Sequence, residues 1–260
     1  MLDGDTRRRV LWRVAMGLLL AVTPFISASA IASPNPSPSS ETTSPDQRGG
    51  CPHGYVALSF DDGPDPTTTP QIAEILTAHG ARGTFFVIGA VAESHPDIIR
   101  RLRVEGMIVG NHSYAHPFLD QLGADDVRRE LQETNDILDG LAGPAPVLFR
   151  PPYGRTNETV GRVARSLGMT EVLWTHDSDD YEGASAEHLI EVAGRATDGD
   201  VLLFHDGLQS TVDALPRILT DLTARGLCSG QIVPSTVPEQ AWVEYAGEDR
   251  MFYFARTTRW

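Results

Sequence analysis

Seven short apolar runs alternate with helix-patterned segments along most of this chain, and that alternation restricts the fold more than any other feature. The runs are YVALSF (55–60), GTFFVIG (83–89), MIVGN (107–111), PVLFR (146–150), EVLWTH (171–176), DVLLFH (200–205) and a weaker GQIV (230–233). Each has strand length and is apolar at most positions, the pattern of a strand buried on both faces. Between them, residues 70–79, 97–105, 125–141, 158–167, 186–196 and 211–224 read as helices. Ile72, Ile75 and Leu76 share one face of the first, and Val127, Leu131, Ile137, Leu138 and Leu141 keep near-helical spacing in the third. Gly80, Gly106, Gly168 and Gly226 follow four of these segments, as helix C-caps do. Strands joined by helical crossovers pair in parallel, so the expected fold is α/β with a helix-covered sheet. Periodicity leaves a closed barrel and an open doubly wound sheet both open.

The polar residues that break this pattern fall at one end of it. Asp61 and Asp62 follow the first run, and His112 and His116 the third. Arg150 closes the fourth, Asp177, Asp179 and Asp180 follow the fifth, and His205 ends the sixth. In a parallel sheet all carboxyl ends share one face, where α/β folds assemble their sites. Singly, each has a plain structural reading. Asp62-Gly63 is a common turn, NHSYAH (111–116) a helix start, and RPPYG (150–154) a rigid extended turn. His205 reads as a core histidine and 177–180 as a solvated acidic loop. Together they form a set. One of the two carboxylates with two histidines four residues apart is a ligand set for Zn²⁺ or another divalent ion, with positions left open. The other carboxylate lies spare beside it, and a further histidine, His205, stands at another strand end. Base, cation and acid are the parts that hydrolyse an acyl bond with water.

The flanks carry no such pattern. Arg7, Arg8, Arg9 and Arg13, an apolar stretch from Val14 to Ile26, and Ala28-Ser29-Ala30 have the form of a cleaved export signal over residues 1–30. Pro24 interrupts the stretch, which is short of the ~20 residues a spanning helix needs, so cleavage is expected over a retained anchor. TRRRVLW also bears a loose likeness to a twin-arginine signal. Residues 31–50 are rich in Pro, Ser and Thr and are expected to be a flexible linker. The mature protein is therefore expected to be secreted, with no membrane partner after cleavage.

The chain carries a formal charge of −14, and the first 30 residues contribute two Asp and four Arg, so the remainder carries −16. That acidity argues against nucleic acid and anionic membranes as partners. The chain has no lysine, which excludes Schiff-base lysine chemistry and a phosphate-loop lysine within it. The absence of a GxSxG motif argues against a serine esterase. The only cysteines, Cys51 and Cys228, are expected to be a disulfide tying the ends of one large domain together.

LSFDDGP, NHSYAHP, FRPPYG, WTHDSDDY and LLFHD resemble, in order and spacing, the five motifs of the polysaccharide deacetylases, carbohydrate esterase family 4. The resemblance covers residues 51–238, which would be the catalytic domain. GYVALSFDDGP, NHSYAHP and GLCSGQIVPST have the look of the secreted actinobacterial acetylxylan esterases and chitooligosaccharide deacetylases. The resemblance implies a distorted seven-stranded (β/α) barrel, a divalent metal (Zn²⁺ ahead of Co²⁺ or Mn²⁺), and a monomer acting on acetylated polysaccharide or oligosaccharide. It implies that Asp61 is the base that deprotonates the attacking water, and that Asp62, His112 and His116 hold the metal. Arg150 would hold the base, and His205 would protonate the leaving amine or alcohol. Asp180 would orient His205, with Arg82 in turn pairing with Asp180. The Tyr153 N–H would assist at the oxyanion, and Leu203 would line the pocket for the acetyl methyl. Tyr181 stands where the family usually has Trp on the groove wall, a departure that touches substrate contacts more than chemistry.

Residues 239–260 lie outside the resemblance. AWVEY and RMFYFAR read as an accessory hairpin packed on the barrel, with an aromatic sugar-stacking surface as the alternative. Two other functions compete with deacetylation. One is a glycosidase using Asp61 and a carboxylate among 177–180, which has no need of His112 and His116. The other is a glycan-binding barrel without catalysis, which leaves the base, metal and acid set unexplained.

Overall fold

β1, Gly54–Asp61, is the strand around which the rest is arranged. In this computed structural model, residues 51–233 are described apart from Ala142, together with residues 256–258. β1 pairs in parallel with β2 (Thr84–Val87) along Ser59–Asp61 and with β7 (Val201–His205) along Ala57–Asp61. At its amino end it pairs with β8 (Leu227–Ser229). β3 (Ile108–Asn111), β4 (Leu148–Phe149) and β5 (Thr170–Glu171) extend the sheet beyond β2, and β6 (His176–Asp177) lies beyond β7. The order is β5-β4-β3-β2-β1-β7-β6, with β8 on β1, and every pair is parallel. The sheet curls into a half-barrel, seven strands along that order and β8 an eighth on β1.

Strand alternation divides the side chains. Val56, Leu58 and Phe60 of β1 join Phe85, Val87, Leu202 and Phe204 in the cluster under the helices. The intervening Ala57 packs inside the barrel with Phe86, Leu148, Val172, Val201 and Ile232. Ser59 and Asp61 share that inner face by the two-residue period. The covering helices are α1 (Thr68–Ala78), α2 (Gly89–Ser94), α3 (Pro96–Val104), α4 (Ala124–Asp139), α5 (Glu158–Ser166), α6 (Ala186–Ala193) and α7 (Gln209–Ala224). α2 was not expected from the sequence. α5 begins where the Asn157 side chain accepts the Val160 N–H at 3.0 Å, filling an end donor that the helix leaves without a partner.

Two expected strands differ. EVLWTH is not one strand. Its start, β5, pairs with β4 and its end, β6, pairs with β7, so the run crosses from one sheet edge to the other. Val172 N–H still reaches the Phe149 carbonyl, and Thr175 N–H the Val201 carbonyl. The carbonyls of Val172 and Leu173 instead accept from Arg150. The run expected as the last strand, GQIV, is not part of the sheet, and β8, just before it, takes that place. Gly230 donates to the Val56 carbonyl at 2.8 Å, and beyond it the chain no longer pairs with the main sheet, although Ile232 stays buried with Ala57 and Phe86. β9 (Gln231–Val233) pairs antiparallel with β10 (Arg256–Thr258).

Cys51 and Cys228 form a disulfide across 177 residues, at the end where β8 meets β1. Cross-linking so long a loop is worth about 5 kcal/mol on the chain-entropy model. Among the described residues no helix is long and apolar enough to cross a membrane. The expected signal (1–30), the linker (31–50) and the hairpin apart from residues 256–258 lie outside the described residues.

Candidate active site

The carboxyl ends of the strands gather one cluster. Asp62, directly after β1, has φ 71°, and its Oδ1 lies 3.1 Å from His116 Nε2 and 3.4 Å from His112 Nε2. The two Nε2 atoms are 3.3 Å apart. Asp62 Oδ1 is buried and has no hydrogen-bond partner. His112 Nδ1 is 2.8 Å from the Arg150 carbonyl. A carbonyl only accepts, so Nδ1 carries the proton and Nε2 presents a lone pair. One carboxylate oxygen and two imidazole nitrogens therefore converge, all within 4.8 Å of one another. An orphaned oxygen beside two such nitrogens is the donor set of a divalent metal site, and these residues fit one. Burial pushes the Asp62 carboxyl up, but the two imidazoles, when protonated, pull it down further, leaving it well below the usual carboxylate range.

The loop between the histidines is held from several sides. Ser113 and His116 adopt φ 63° and 58°, left-handed values that cost a non-glycine residue energy unless the surroundings enforce them. Ser113 N–H donates to Asn111 Oδ1, and His116 N–H to Ser113 Oγ. The Asn111 amide donates in turn to α4, at the Leu131 carbonyl and Asn135 Oδ1. Glu130 of α4 accepts from both Tyr114 N–H (3.0 Å) and Ala115 N–H (2.8 Å).

Asp61 faces the barrel interior and is 3 % exposed. Its Oδ1 accepts from Arg150 Nη1 at 2.8 Å, and its Oδ2 lies 3.7 Å from His112 Nε2. Arg150 is fully buried. It also donates to Ser59 Oγ at 2.9 Å and to the carbonyls of Val172 and Leu173. Its guanidinium carbon lies 4.2 Å above the Phe86 ring. Burial lowers the Arg150 pKa and the Asp61 charge opposes that. A buried cation is tolerated here because partners meet it on several sides.

His205 is the register partner of Asp61 across β1 and β7. Its Nδ1 bonds Asp180 Oδ1 at 2.7 Å, and its own N–H donates to Asp180 Oδ2 at 2.7 Å. Thr211 Oγ1 of α7 donates to the same Oδ2 at 2.7 Å. Burial alone would lower the His205 pKa. The Asp180 bond, together with the charges of Asp61, Asp180 and Asp62, overturns that, and the imidazolium is favoured beyond its ordinary range. Leu203, two residues earlier, is buried opposite Ser59. Tyr181 is exposed, its ring edge-on to His205 at 5.1 Å. Tyr153 has φ 61° and stands edge-on to His116 at 4.5 Å.

Arg82 is a correction. It precedes β2, at the amino end of the sheet, while Asp180 lies at the carboxyl end. Arg82 Nη1 donates to the Ala81 carbonyl and its N–H to Ser229 Oγ. His205 and Thr211 occupy Asp180 instead. Several residues in contact with the cluster had no role in the sequence reading. Ser59 and Thr211 carried no local signal, and Glu130 lies mid-helix. Asp206 did share the signal, a polar residue after an apolar run. It accepts from Thr68 and Thr69 of α1, and a Cβ on Gly63 would strike it. It thereby ties the β7 loop to the turn that follows Asp62.

The family model described as polysaccharide deacetylase matches residues 49–172. A peptidoglycan-N-acetylglucosamine deacetylase of Bacillus cereus is 40% identical over 176 residues, which is 66% of this chain and 64% of that protein. The chain thus spans just under two thirds of that relative. A chitooligosaccharide deacetylase of Azorhizobium caulinodans is 36% identical over 187 residues, 66% of this chain and 89% of that protein. Among solved structures, a family 4 carbohydrate esterase from Streptomyces lividans in complex with acetate aligns with a TM-score of 0.67 and 42% identity. The alignment covers 69% of this chain and 93% of that one. The chain belongs to the polysaccharide deacetylase family, carbohydrate esterase family 4.

Proposed function

We propose that this protein is a secreted, metal-dependent hydrolase that removes acetyl groups from polysaccharide. Its substrates would be N-acetylglucosamine in peptidoglycan or chitin oligomers, or O-acetyl groups of xylan. One observation carries the reading: Asp61 and His205 face each other in register beside the Asp62, His112 and His116 cluster. Asp62, His112 and His116 would hold the cation, which when bound would supply Lewis acidity toward the acetyl carbonyl and the attacking water. Two imidazoles and a carboxylate suit Zn²⁺, and Co²⁺ or Mn²⁺ after it.

The chain's own groups do the rest. Asp61 takes the proton of the attacking water, and Arg150 holds the carboxylate in place for it. The Tyr153 N–H donates to the carbonyl oxygen as negative charge develops there. His205, kept protonated by Asp180, gives its proton to the departing amine or alcohol. Leu203 lines the pocket for the acetyl methyl, and Tyr181 borders the sugar. The protein works as a monomer outside the cell, with no nucleic-acid or membrane partner.

The test is acetate release from chitooligosaccharides and acetylxylan before and after chelation, followed by metal add-back. Activity lost on chelation and restored by Zn²⁺ or Co²⁺ is expected. No acetate from any acetylated glycan would overturn the reading, and reducing ends without acetate would favour a glycosidase.

A further inference from the structure

Two aromatic rings stand exposed beside the loop that carries His116. Phe118 is 41% exposed and Tyr153 56%. Their ring centroids are 4.4 Å apart, and Tyr153 contacts His116 on the other side. The Arg155 guanidinium lies 4.8 Å over the Phe118 ring. Asp120 grips that guanidinium at Nε (3.0 Å) and Nη2 (2.8 Å). The run His116, Tyr153, Phe118, Arg155 is therefore continuous and fixed at its outer end.

The placement of exposed apolar surface is selective. Among the described residues the large exposed hydrophobic side chains are Val104, Val147, Phe118, Tyr153 and Tyr181. Val104 ends α3 and Val147 precedes β4, both at the amino ends of strands. The three aromatic ones all lie at the carboxyl end, Tyr153 and Phe118 on the His116 side and Tyr181 on the His205 side. Exposed aromatic faces grouped at a site are surface kept for a partner. A pyranose ring has an apolar C–H face that stacks on aromatic rings and a rim of hydroxyls. The Arg155 fork has donors for such hydroxyls beyond the two that Asp120 takes. Asp120 also neutralises its charge, which suits an uncharged sugar.

We propose that Phe118, backed by Arg155, forms a subsite for the sugar next to the one that loses its acetyl group, on the His116 side. Tyr181 borders the opposite side, so the glycan lies across the site and the protein acts within chains. This rests on the deacetylase reading above.

The test compares wild type with Phe118→Ala, Phe118→Leu and Phe118→Trp, each checked by thermal melting. The probes are the N-acetylglucosamine tetramer and a small aryl acetate. Loss of one aromatic stack lowers affinity about three- to tenfold. The tetramer KM is expected to rise by that factor in the Ala and Leu variants, with kcat within about twofold on the same reasoning. The tetramer-to-ester ratio of kcat/KM falls accordingly, and Phe118→Trp restores it. An unchanged tetramer KM overturns the subsite. An equal fall on both probes also overturns it, because Phe118 would then act through His116 and Tyr153. If wild type releases no acetate, the deacetylase reading fails. Tetramer binding by titration calorimetry then decides the subsite: binding weakened in Phe118→Ala supports it, and equal or absent binding in wild type overturns it.

Discussion

Asp180→Asn isolates the acid half of the proposed chemistry. Asp180 Oδ2 accepts from His205 N–H and Thr211 Oγ1, and its Oδ1 bonds His205 Nδ1, all at 2.7 Å. An Asn oxygen placed at Oδ2 keeps the first two bonds. Its amide NH₂ then replaces Oδ1 and faces His205 Nδ1 as a donor. The ring must present a lone pair there, which the imidazolium lacks. The charged ring loses a hydrogen bond to a carboxylate, worth ~1.5–3 kcal/mol. That lowers the ratio of imidazolium to imidazole about ten- to hundredfold at any given pH. The sign follows from the raised His205 pKa. The acid is present below that pKa and is lost as pH rises through it, so the variant loses activity at lower pH than wild type. The assay is a pH profile of kcat/KM for acetate release from the N-acetylglucosamine tetramer, both proteins equally metal-loaded. The curves should approach one another at acidic pH and separate by about ten- to hundredfold on the alkaline side. An alkaline limb that stays in place, or moves upward, refutes the assignment of His205 as an acid held by Asp180.

Other substitutions separate the remaining parts. Asp62→Asn should weaken metal affinity by about tenfold or more, read by competition with a fluorescent chelator, whereas Asp61→Asn should retain the metal and lose turnover. Glu130→Ala removes the acceptor of two loop N–H groups. It should weaken metal binding about tenfold, as supports around metal ligands do, and unchanged affinity in a folded variant would refute the clamp. Glu171 is buried beside Thr156, and burial pushes its carboxyl up to about 7 from 4.5. The folded state holds that proton longer than the unfolded chain, so stability falls as pH rises from 4.5 through 7, by about 3 kcal/mol. Glu171→Gln should abolish this fall, measured as urea midpoints at pH 5 and pH 8.

Much of the site was legible because its signals are local. An apolar run of strand length ending in Asp61, Arg150 or His205 states both the element and the end at which the polar residue stands. In a parallel sheet that suffices to put these residues on one face. The same logic separates Arg82 from Asp180, because Arg82 precedes its strand. The division of EVLWTH was not legible. Its composition suits one strand, and only the gap between the sheet edges makes it two. Glu130 was hidden because a glutamate in mid-helix reads as solvent-facing until a loop packs over it. Thr211 was hidden in the same way at the start of α7.

The alternation of strands and helices, the shared end of the strands and the residue types of the cluster are all written in local pattern. Periodicity and local polarity specify an element and its end without reference to any other segment. Which partner each buried group meets depends on the folded sheet. It set the register of Asp61 opposite His205 and gave the Arg150 fork to Asp61, Ser59 and two carbonyls. It also fixed the His112 proton on Nδ1 through the Arg150 carbonyl. These depend on curling the sheet until distant segments meet, and a buried polar group takes whichever partner that closure brings within about 3 Å.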